Sequence, residues 1–281
     1  MLGGVGTTNG TWAAGGGHFG TWKEDSIRYR GFAGLASANL DFYSGSKSAR
    51  FNIEALFLLQ DLRFRIQESP VFVGARYLLS DTDTRFDRPS TPPALGQRGL
   101  EGSNAGLGPV IAYDDRDNIF TPTRGTTAEL TYSFFDEAFG GDFDYQQLEL
   151  KSTHHRPLVE SKRYVLGVRG KLAVVDRQAP FYAKPFVELR GVPAMRFQGD
   201  QVLSGEAEVR WVHTPRWSSV GFFGLGGTQY ESSRLEESGL VVAGGVGVRY
   251  KLARLLGLHG GVDLAMGPDG PVLYLSMGSG L

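Results

Sequence analysis

The chain has 281 residues and no shift of composition divides it, so one large β domain spanning residues 1–281 is expected. Basic and acidic residues nearly cancel, 29 against 30, which leaves no global field to draw in nucleic acid; zero cysteines rule out disulfides and thiolate metal sites. Forty glycines without a three-residue period exclude collagen, and no run approaches the ~18 apolar residues of a membrane-spanning helix.

The opening Met1-Leu2-Gly3-Gly4 carries neither the basic nor the apolar region of a signal peptide, an absence that suits a processed exported chain as well as one never exported. From there, apolar and polar residues alternate with a period of two through segments 10–22, 26–43, 50–66, 71–83 and 103–115. Ala128, Leu130, Tyr132 and Phe134 then alternate with Thr127, Glu129, Thr131 and Ser133, and a further segment follows at 144–156. Tyr164, Leu166, Val168, Leu172 and Val174 share a face opposite Arg169 and Lys171. Segments 203–215 and 218–230 precede Leu240, Val242, Val246, Val248, Tyr250 and Leu252, which alternate with small and basic residues; 257–267 and 271–280 complete the series.

This makes roughly thirteen strands, most reaching the ~9–11 residues that a tilted transmembrane strand needs, and no helical period competes with them. Lys23-Glu24-Asp25, Glu68-Ser69-Pro70, Pro157 to Lys162, Pro215-Arg216 and Ala253 to Leu256 read as short turns. Residues 84–102, 136–143, 177–202 and 231–238 read as longer loops. The two sets interleave, as the periplasmic turns and extracellular loops of an outer-membrane barrel do. Their alternation makes the first and last strands point the same way, an odd count. Leu2 to Thr8 as a short extra strand, a first segment lying in the lumen, or a part of the barrel outside this chain would each resolve it.

Two motifs go beyond periodicity. Leu189-Arg190-Gly191-Val192-Pro193, then Gly199-Asp200, then Gly205-Glu206-Ala207-Glu208-Val209-Arg210-Trp211 places an Arg-Gly tip on a long loop before a strand bearing glutamates and an arginine. Tyr113 to Gly125 carries Asp114, Asp115, Arg116, Asp117, Pro122 and Gly125 in the manner of a tight polar hairpin. From about residue 103 onward the chain resembles the BamA/TamA surface-antigen family of outer-membrane barrels: the first motif is similar to that family's loop folded into the barrel, the second to its periplasmic hairpin.

The resemblance implies an antiparallel transmembrane β-barrel of about 12–14 strands in the bacterial outer membrane. It also implies a lumenal loop whose Arg190, Gly191 and Val192 approach Glu206, Glu208 and Arg210. An inward guanidinium pairs bidentately with a carboxylate, and Glu208 or Glu206 is the expected partner. Implied partners are outer-membrane lipid, periplasmic or lipoprotein accessory subunits and unfolded outer-membrane proteins. The implied activity is insertion or assembly of outer-membrane proteins or lipids through a weak seam between first and last strands, here Trp12 to Trp22 and Leu273 to Leu281. A passive channel and a translocator for one dedicated cargo are the alternatives. The sequence departs from the family at Val192, where an aromatic usually stands, at Gly224, where an aspartate usually faces the loop arginine, and at the end, which lacks a terminal aromatic. The likeness is to members with neither periplasmic repeats nor a fused lipase domain.

No enzyme is expected. A nucleophile elbow Gly-x-Ser-x-Gly is absent, and Gly4-Val5-Gly6 and Gly245-Val246-Gly247 lack both the full dinucleotide fingerprint and a following helix. His154 and His155 are adjacent and so point to opposite faces of a strand, badly placed to share a metal. The Asp114-Asp115-Asp117 run suits a solvated turn better than calcium, and no cofactor is expected. Trp12, Trp22, Trp211 and Trp217 are candidates for interfacial aromatic girdles.

Overall fold

The computed structural model describes residues 2–6, 9–44, 47–86, 101–229, 240–278 and 280–281. Fourteen strands form one antiparallel sheet in chain order. They are β1 Leu2–Gly6, β2 Trp12–Trp22, β3 Ile27–Ser44, β4 Lys47–Arg65, β5 Val71–Phe86, β6 Glu101–Asp114 and β7 Gly125–Phe135. The second half is β8 Tyr145–Pro157, β9 Tyr164–Val175, β10 Gln201–Val212, β11 Trp217–Gln229, β12 Val241–Ala253, β13 Leu258–Gly267 and β14 Gly270–Met277. Of the three ways to even the strand count, the structure takes the short extra strand: β1 has five residues and pairs antiparallel with β2 from Leu2↔Gly16 to Gly6↔Trp12. Its sequence, Leu-Gly-Gly-Val-Gly, is too short and too glycine-rich to show a period of two. The expected loops 84–102 and 231–238 lie mostly outside the described residues; β5 and β6 extend into the first as far as Phe86 and Glu101.

The polarity of the sheet is inverted relative to a soluble β domain. In β10 the buried set is Val202, Ser204, Glu206, Glu208 and Arg210, whereas Leu203, Val209 and Trp211 are exposed. The same holds for β11 to β14, where Phe223, Leu225, Val246, Leu264, Leu273 and Leu275 are each at least half exposed while Arg249 and Asp263 have almost no accessible surface. An apolar face of this extent needs an apolar solvent, because contiguous exposed patches on soluble monomers rarely exceed a few hundred Å2. In β2 to β4 the separation is weaker: Phe19 and Phe32 share the face that carries Arg30 and Asp61.

The sheet curls around its charged face. Arg30 of β3 reaches Glu129 of β7 at 3.2 Å, and Arg63 of β4 reaches the same carboxylate at 2.5 Å. The segment between β9 and β10 packs Phe181 and Met195 against Phe51 of β4, and Val187, Leu189 and Val192 against Val202, Val241 and Ala243 of β10 and β12. One segment therefore touches strands from both halves of the sheet. Trp211, exposed, stacks on Tyr164 at 5.9 Å, and Trp217, also exposed, lies 4.8 Å from Tyr250, a cluster of aromatics at the end of the sheet where the short turns lie.

Candidate functional site

The segment linking β9 to β10 begins at the loop end of the sheet and reaches deep along the charged face. Glu208 lies seven residues along β10 from Gln201, about 23 Å at ~3.3 Å per residue, and Arg190 touches it. The Arg190 guanidinium donates from Nε to Glu206 Oε1 at 2.9 Å, and its Nη2 lies 2.7 Å from the same oxygen. Its Nη1 sits 2.8 Å from Glu208 Oε2 and 3.1 Å from Asp263 Oδ2. The ring of Phe222 lies 3.6 Å below the guanidinium carbon, which adds a cation–π contact in a site shielded from water. The Arg190 backbone N–H donates to Glu206 as well, and Gly191 N–H donates to the Tyr274 hydroxyl at 2.9 Å.

Gly191 has φ +98°, a conformation that glycine adopts at no steric cost, and its carbonyl occupies the space where a Cβ on Gly267 would stand. Two glycines thus let the loop backbone approach β13. Val192, in the place of the family's usual aromatic, is buried in the cluster of Val187, Leu189, Val202, Val241 and Ala243. Gly224 leaves room for Leu189, whose Cδ2 would come within 2.8 Å of a Cβ there.

The expectation that the guanidinium must rely on glutamates of β10 alone needs correcting. Asp263 of β13 supplies a third carboxylate, and Arg249 of β12 braces it through two hydrogen bonds, Nη2 to Oδ2 at 2.9 Å and Nη1 to Oδ1. Arg249 Nη2 also lies 3.7 Å from Glu208. Asp263 is the single acidic residue of an otherwise apolar and glycine-rich strand, and Arg249 shares its face. A lone acidic residue in a hydrophobic alternating strand is the signal that would have found Asp263, whereas Arg249 shares its strand with Lys251 and is marked only by its pairing across the sheet. Arg210, which the family resemblance grouped with the loop motif, instead hydrogen-bonds the Pro122 carbonyl of the β6–β7 hairpin at 2.8 Å.

That hairpin is rigid by construction. Asp117 accepts from the Thr123 N–H at 2.9 Å, the Arg124 N–H at 3.2 Å and the Thr123 hydroxyl, while Asp115 accepts from the Thr126 N–H. Partial burial pushes the Asp117 carboxyl up, but the bonds from Thr123 and Arg124 outweigh it and hold the group below the usual carboxylate range. Arg116 pairs with Asp114, Pro122 is fully buried, and Gly125 at φ +109° leaves no room for a Cβ, which would lie 2.6 Å from the Arg116 Cα. The hairpin leans across the turn end of the sheet: Asn118 donates to Leu256 of the β12–β13 turn and Thr121 pairs with His259 of β13.

A second ion cluster went unread in the sequence. Asp61, almost fully buried, accepts from Arg30, Arg63 and Arg76, and Glu129 closes the group from β7. Each residue occupies the charged-face parity of its strand, but only the curl brings β3 to β7 together. Below it, Arg28 pairs with Asp25 and Asp114, and its guanidinium lies 4.0 Å from the Phe72 ring.

A membrane-type antiparallel sheet, with lipid-compatible residues on one face and a charge-anchored loop on the other, is the class of protein this geometry defines. The Omp85 superfamily domain matches residues 36–191, more than half of the chain, and the chain belongs to that superfamily. The match begins well before residue 103, so the family pattern extends into strands where only periodicity was legible, and it ends at Gly191, before the strand that carries Glu206 and Glu208. Among solved structures, BamA from Haemophilus ducreyi lacking POTRA domains 1–3 superposes over 95% of the chain with a TM-score of 0.64 at 11% identity, which shows a shared fold. The chain spans 61% of the length of that structure. Weaker likenesses reach an outer membrane channel from Pseudomonas putida F1, at 10% identity with TM-score 0.43 over 89% of this chain and 91% of that one. OccK10 from Pseudomonas aeruginosa follows at 11% identity, with TM-score 0.39 over 95% and 91% of the two chains. No curated protein sequence matches.

Proposed function

We propose that the fourteen strands close into a barrel in the bacterial outer membrane, with segment 177–202 held in its lumen, and that the barrel assists insertion or assembly of outer-membrane proteins or lipids. The observation that carries this reading is the pair of weak edges. Among the described residues β1 pairs only with β2 and β14 only with β13, and these are the two shortest strands, of five and eight residues. Gly278 N–H still donates to the His259 carbonyl in register with β13, and beyond it the chain turns to the charged face, where a Cβ on Gly280 would stand 3.3 Å from both Arg190 and Glu208. A short junction of this kind exposes unpaired N–H and C=O groups, which template an incoming strand by main-chain hydrogen bonding. The Arg190 anchor keeps the lumen filled, so the seam rather than a pore is the route on offer.

Reconstitution into liposomes with an unfolded outer-membrane protein as substrate tests the reading. Faster substrate folding than in protein-free liposomes supports it, and a disulfide engineered between β1 and β14 should abolish the gain. Equal rates with and without the barrel, including with co-purified periplasmic or lipoprotein subunits, would remove it. Ion conductance without acceleration would establish a channel, and co-purification of one dedicated cargo a translocator.

A further inference from the structure

At the turn end, behind the β6–β7 hairpin, lies a cavity of about 310 Å3, near the lower bound of small-molecule sites. Four cationic residues line it, Lys162, Arg210, Arg216 and Lys251, against the single carboxylate of Asp117, which is already occupied by Thr123 and Arg124 donors. Arg210 is the unusual member. It is buried to 5% exposure, its described polar contact is the Nη2 bond to the Pro122 carbonyl, and no carboxylate lies within ion-pairing distance of it among the described residues. Glu208, its neighbour on the same face, is spent on Arg190 and Arg249. The Ser218 hydroxyl, on the same wall, is buried without a hydrogen-bond partner. A buried charge without a counter-charge is costly, and a guanidinium held by one nitrogen presents its remaining N–H groups in the fork geometry that matches an oxyanion.

We infer that this cavity binds a phosphate group, with Arg210 as the bidentate donor, Lys251 and Lys162 as flanking cations and the Ser218 hydroxyl as a neutral donor. Phosphate fits better than a carboxylate because the donors converge from several walls, β10, β11, β12 and the β8–β9 turn, and a tetrahedral anion has oxygens for each. The site stands apart from the Arg190 anchor and the seam, so it holds or fails independently of the assembly reading. The source is either a free phosphate ester or the headgroup of a phospholipid in the facing leaflet.

Binding calorimetry supplies the readout. Calorimetric titrations are run on the intact chain in a maltoside detergent, with inorganic phosphate and glycerol 3-phosphate in one arm. The other arm compares dihexanoyl phosphatidylglycerol with phosphate-free dihexanoylglycerol. Saturable binding of any phosphate-bearing probe, weakened roughly tenfold or more by Arg210→Gln and by Lys251→Gln, is expected, since a hydrogen bond to a charged group contributes about that factor. Binding of the small anions identifies a free ester as the ligand, and binding of the lipid alone identifies a headgroup. Lys251→Gln alters a rim residue, so it remains informative even if Arg210→Gln fails to give a heat-modifiable folded band. No saturable response to any probe, or affinities unchanged in Lys251→Gln and in folded Arg210→Gln, would overturn the assignment.

Discussion

At the scale of single residues, Arg190 concentrates the consequences. It is the shared counter-ion of Glu206, Glu208 and Asp263, all nearly without accessible surface, so its removal leaves buried carboxylates facing one another. Arg249 still serves Asp263 and, more distantly, Glu208, whereas among the described residues Glu206 keeps only Arg169, at 3.6 Å. Arg190→Ala should therefore destabilise the protein by about 3–5 kcal/mol, the usual cost of an uncompensated buried charge. It should also open the 177–202 segment to protease; denaturant melts and limited proteolysis in detergent measure the two effects. Gly267→Ala should reproduce the protease sensitivity with every charge in place, because the new Cβ occupies the position of the Gly191 carbonyl. If Gly267→Ala exposes the loop and Arg190→Ala does not, packing and not charge fixes it.

At the scale of elements, the turn end is built from local hydrogen-bond chemistry. Lys23, Glu24 and Asp25 all have positive φ, a conformation unfavourable for non-glycine residues, and Asp25 holds the turn by pairing with Arg28 and Arg65. The hydrogen bond from Arg28 keeps the Asp25 carboxyl below its ordinary 3.8. A depressed folded-state value means that the contribution is complete above about pH 4 and fades as pH falls through the lowered value. Protection factors of the β2–β3 turn amides, corrected for the intrinsic exchange rate at each pH, should fall below about pH 4 in the native chain, and Asp25→Asn should show the reduced protection already at pH 7. The hairpin at 115–124 makes a sharper prediction. Gly125→Ala places a side chain at φ +109° against the Arg116 backbone, so a loss greater than the ~1 kcal/mol of a strain-free glycine replacement is expected, read as a lower unfolding midpoint.

At the scale of the whole molecule, the sheet is soluble in lipid on one face and in water on the other. Val246, exposed on the apolar face of β12, distinguishes the two environments. In a water-soluble sheet Val246→Arg would be nearly neutral; facing lipid, an arginine near the bilayer midplane costs about 2–4 kcal/mol. Folding titrations in bilayers should show that loss, and an unchanged midpoint would place β12 in water. The native chain should also need detergent to remain dispersed and should shift on gels between unheated and boiled samples. A stable monomer in detergent-free buffer would contradict the membrane reading.

The sequence by itself determined what repeats locally. A period of two needs only neighbouring residues, so the strands from Trp12 onward, the alternation of short turns with longer loops, and the two motifs around Arg190 and Asp115 were all readable. β1 was legible only as one of three ways to even the strand count, because five residues of mostly glycine carry no alternation. Periodicity also identified which residues share a face without saying which strands meet across it. Glu206 and Glu208 were found as partners for Arg190 because they follow it within one loop and strand, whereas Asp263 and Arg249 stand far along the chain. The Asp61–Arg76–Glu129 cluster and the contact of Arg210 with Pro122 likewise join strands separated by tens of residues. Those pairings exist only because the sheet curls, and curvature is a property of all fourteen strands together that no local stretch of sequence encodes.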